Sequence, residues 1–74
     1  DYGATYGDDL RFWEYQVRVA QTDAGARLNY SEVLLRRGRR VEALAQREAA
    51  WRLVPEKGVY TAALASLALE MGQT

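Results

Sequence analysis

Seventy-four residues make one small domain, and a domain of that size buries only roughly 60% of the surface its unfolded chain exposes. Ten basic residues balance ten acidic ones, so no global field draws the chain to nucleic acid or an anionic membrane; any such role has to be local. With neither cysteine nor histidine, disulfides, thiol nucleophiles, thiolate metal sites and the commonest general base are all excluded, and the compartment stays open between cytoplasm and periplasm.

In chain order, the opening DYGATYGDD has no helical period and is rich in glycine, aspartate and tyrosine, so residues 1–8 read as an extended N-terminal arm. From Asp9 to Ala20, Leu10, Trp13, Val17 and Ala20 recur at helical spacing, with Asp8 or Asp9 as N-cap. Asp23 then suits the cap of a second helix over about 25–37, with Leu28, Ser31, Leu34 and Leu35 on one side and Gly38 at its end. A third segment, Arg40 to Leu53, carries Ala43, Leu44, Ala50 and Trp51, and stops before Pro55, which forces Val54 out of helical geometry. A fourth, roughly Val59 to Met71, offers Leu64, Ala65, Leu67 and Ala68 and then meets Gly72. The spacing predicts an all-α chain of four helices, its short connections folding neighbours into antiparallel hairpins. The longest uncharged run, Gly58 to Leu69, is twelve residues against the ~20 that span a bilayer, and no signal peptide is visible.

Gly38 and Gly72 lie 34 residues apart, and other positions share the offset: Glu14 with Glu48, Arg18 with Arg52, Val17 with Trp51, Val19 with Leu53, Tyr30 with Leu64, Ser31 with Ala65, Leu34 with Ala68 and Leu35 with Leu69. Apolar falls on apolar and small on small without a gap. The period by itself suits any two-helix repeat array. In LNYSEVLLRRGRRVEALAQREAAWRLVP, however, Tyr30, Ser31 and Leu34 precede Gly38, Glu42-Ala43-Leu44 opens the next helix, and Ala50 and Pro55 close it, so the chain resembles the tetratricopeptide repeat family. It departs from the family at Arg27, where tryptophan is usual, at Arg40, where an aromatic is common, and at Arg47, where phenylalanine is common. The resemblance implies a right-handed solenoid segment over residues 9–74, with one full repeat at about 24–55 between two half repeats. It also implies a concave groove lined by first helices, here Arg27, Asn29, Tyr30, Glu32 and Val33 with Thr61 and Leu64.

Repeats bury their apolar faces only against neighbours, so the face of Leu64, Ala65 and Ala68 calls for another helix, from a longer parent chain or from a partner. Around Gly38 sit Arg36, Arg37, Arg39 and Arg40. Glu32 lies four residues before Arg36 in the favourable orientation, as Glu14 does to Arg18 and Glu48 to Arg52, and Arg36 and Arg37 fall in a last helical turn, where cations suit the macrodipole. Arg39 and Arg40 open the next helix, where cations are mildly unfavourable, which makes them candidate contacts to an acidic partner surface. Trp13 and Trp51 read as core, with a cation–π contact from Arg47 to Trp51 in reach. Tyr2 and Tyr6 are suited to docking in another protein's groove.

Catalysis lacks its parts. Ser31 and Ser66 have no histidine to activate them, and Glu32, Glu42 and Glu48 have no second carboxylate one turn away. No cofactor, metal or small-molecule substrate is expected. Arginine outnumbers lysine nine to one and alanine is the commonest residue, a balance that fits a GC-rich bacterial genome. The expected function is a protein–protein interaction scaffold or adaptor in a larger bacterial assembly. The alternative is a small accessory subunit of a multi-protein complex, membrane-bound or not, docked through its arm and open helix faces; nucleic-acid contact through residues 36–40 ranks below both.

Overall fold

The computed structural model describes the backbone of residues 2–72 and the side chains of residues 9–72. Four helices follow one another, α1 (Tyr2–Val19), α2 (Ala24–Arg36), α3 (Arg40–Leu53) and α4 (Gly58–Gly72), with no strand among the described residues. The chain is all-α.

Three of the helices keep the bounds expected for them to within one residue; α1 does not. It begins at Tyr2, so residues 2–8 of the stretch read as an extended arm are helical backbone, and Asp9 is an interior residue rather than a cap. No proline interrupts residues 2–8, and once the turns around Leu10 and Val17 are packed, each further residue adds a hydrogen bond without a new nucleation cost. That outweighs the preference of Gly3 and Gly7 for other conformations.

The turns follow from their residues. Asp23, in extended geometry, accepts a hydrogen bond from the Ala26 amide at 3.1 Å and caps α2. At the far end of α2, Gly38 takes φ 78°, and two amides close back onto the helix: Arg39 N–H to the Leu34 carbonyl at 2.9 Å and Gly38 N–H to that of Leu35 at 3.0 Å. This is a Schellman closure, and the left-handed residue it needs is the glycine. Val54, extended at φ −138°, ψ 69°, ends α3 one residue before Pro55.

Connections of three or four residues leave consecutive helices packed on each other, α1 on α2, α2 on α3 and α3 on α4. The order of contacts along α1 and α2 is opposed: Arg36 meets Asp9, whereas Tyr30, further back on α2, feels the charge of Glu14, further on in α1. The pair is therefore antiparallel. Leu34 of α2, Ala43 of α3 and Leu67 of α4 form the buried core, with Leu10, Tyr30, Leu35, Leu44 and Met71 packed around them. Ala43 has no side chain beyond Cβ, which lets α3 sit close enough for Leu34 and Leu67 to share one apolar centre.

Candidate interaction surface

The residues expected to touch a partner divide into those the fold already uses and those it leaves open. Arg27 belongs to the first group. Its Nε donates to the Gln21 carbonyl at 2.9 Å and its Nη1 to Gln46 Oε1 at 3.0 Å, so it ties α2 to the preceding turn and to α3. Tyr30 is half-buried against the core. Burial pushes its phenol above the usual tyrosine value, the Glu14 and Glu42 carboxylates push the same way, and Arg39 opposes them. Val33, placed on the groove by the repeat pattern, is 2% exposed and belongs to the interior. An aliphatic β-branched residue gains more from burial than from lining a solvated groove, and that preference decides its side. Asn29 and Glu32 are exposed.

Arg47 was unassigned as a site, and its surroundings explain why an arginine stands there. Its Nε donates to Ser31 Oγ on α2 and its Nη1 to the Ala63 carbonyl on α4, each at 3.0 Å. Ser31, completely buried, donates its own hydroxyl hydrogen bond to the Leu28 carbonyl at 2.6 Å. The guanidinium thus reaches Ser31 and Ala63, where a cation–π contact with Trp51 had been expected; Trp51 itself is half-buried. At positions 27 and 47, where the resemblance leads one to expect aromatic rings, guanidinium groups link helices by hydrogen bonds.

In the basic turn, Arg36 Nη2 is 3.0 Å from Asp9 Oδ2, and Arg39 Nε is 3.8 Å from Glu42 Oε1. These exposed pairs contribute little stability, yet each gives an arginine a carboxylate of its own chain. Arg40 is exposed. Of the expected i,i+4 pairs, Glu48 and Arg52 meet at 2.8 Å. They border, with Ala45 and Ala49, a shallow open hollow of about 170 Å³ on α3. The two charged groups that rim it are paired with each other, and the hollow is shallow and open rather than enclosing.

Exposed apolar side chains stand on α3, where Val41 and Leu53 are 73% and 38% exposed, and on the two outer helices. On α4, Leu64 is half-buried while Ala65 and Ala68 are exposed, as are Thr61, Ala62 and Ser66, and Leu69 is 66% exposed. Its fifteen residues hold one charged side chain, Glu70, which shares the exposed side with Thr61, Ser66 and the small and apolar residues. On α1, Phe12, Tyr15 and Val19 are 52%, 56% and 59% exposed, with Phe12 set edge-on to Trp13 at 4.9 Å. Their spacing of three and four is itself a helical stripe, a second one beside Leu10, Trp13 and Val17, and it was legible in the sequence but overlooked. The side chains of Tyr2 and Tyr6 lie outside the described residues.

Among the described residues no cluster of acidic side chains is arranged to hold a metal ion, and no helix is long and apolar enough to cross a membrane. No family model matches the chain, and no characterised protein or solved structure is significantly similar to it.

Proposed function

We propose that the chain is a tetratricopeptide-like interaction scaffold or adaptor of a larger bacterial assembly, acting by binding rather than catalysis, and that α4 is its principal docking helix. One observation carries this reading. Ser31 and Leu34 of α2 are 0% exposed, whereas the residues 34 positions later, Ala65 and Ala68 of α4, face solvent. The same repeat position is covered by a following helix in one case and uncovered in the other, and an apolar stripe of that kind marks a surface built for a partner helix.

The exposed Phe12, Tyr15 and Val19 favour a second reading, a small accessory subunit held through both outer helices. Nucleic-acid contact through the basic turn is the weakest reading, because Arg36 and Arg39 already face Asp9 and Glu42 in a chain of zero net charge.

A photo-crosslinking side chain at Ala65, compared with one at the exposed turn residue Glu56, tests the proposal in native extracts. Protein adducts are expected at 65 and not at 56. Equal labelling at the two positions, or none at 65, would remove α4 as the docking helix. Substituting Arg39 and Arg40 together by alanine is expected to leave those adducts and their salt dependence unchanged.

A further inference from the structure

We draw no further inference here: the strongest candidate, the surface patch of Phe12, Tyr15 and Val19 on the outer face of α1, is an unpartnered apolar helix face, and nothing in the structure shows what covers it.

Discussion

Helices α2 and α4 occupy the same place in the 34-residue period and differ in how many neighbours they have. Packed between α1 and α3, α2 has Ser31, Val33 and Leu34 all removed from solvent. Packed mainly on α3, with Leu67 reaching the centre shared with Leu34, α4 has Leu67, the counterpart of Val33, buried, but it leaves Ala65 and Ala68 open. The residues at the matched positions are graded to suit. Leu34 is large where a second neighbour encloses it, and Ala68 is small where none does. The polar Ser31 survives burial because Arg47 and the Leu28 carbonyl satisfy it.

The strongest way to break the comparison is to give α2 the residue of α4. Leu34→Ala should cost about 2–5 kcal/mol, because the site is enclosed and little can collapse into the space. Chemical denaturation is expected to show a lower midpoint with an unchanged slope. A loss below about 1 kcal/mol would mean that α2 is no better enclosed than α4.

Arg47 holds the two helices to a common support, and its removal should separate them. Arg47→Ala is expected to cost about 2 kcal/mol through lost charge-assisted hydrogen bonds. Amide exchange in α4, whose Ala63 carbonyl loses its donor, should accelerate more than in α2, which keeps α1 as a neighbour. Equal acceleration in both helices would show that Arg47 supports the core as a whole and not α4 in particular.

How much of this was readable in advance depends on whether the cause was local. The Gly38 turn, the Asp23 cap, the stop at Val54 and the full extent of α3 rest on one or two residues and their immediate neighbours, and the sequence displays those directly. The reach of α1 back to Tyr2 was missed because glycine and aspartate density signals a turn only when nothing downstream propagates a helix. Arg27 and Arg47 were visible as departures from a repeat pattern, but a hydrogen bond from Arg47 to Ser31 and Ala63 joins three helices, and periodicity along one helix carries no information about it. The exposed stripe of Phe12, Tyr15 and Val19 shares α1 with the inner stripe of Leu10, Trp13 and Val17, and periodicity alone does not say which of two apolar stripes on one helix is buried.

Two smaller effects sharpen the contrast at the turn and at the α1–α2 seam. Gly38→Ala meets no atom within 4 Å of the new Cβ, so its cost of about 1–2 kcal/mol is purely that of a left-handed backbone at φ 78°, and thermal melting reads it. Tyr30, where α4 has Leu64, adds a pH dependence. Its phenol ionises above the ordinary value of 10.0 in the fold, so the neutral form is favoured there; the stability this contributes is complete below pH 10.0 and is lost as the pH rises through the folded value. Tyr30→Phe should remove that part of the alkaline loss, a difference visible in denaturation curves on either side of pH 10.0. Identical alkaline profiles for the two chains would place the phenol in free solvent.

The smallest expected effect is the reciprocal substitution, Ala68→Leu, which gives α4 the residue of α2. On an uncovered face the added methylenes reach into water, so stability measured at low concentration should move by no more than about 0.5 kcal/mol. Were the face already filled in the isolated chain, the same substitution would overpack it and cost about 1–3 kcal/mol.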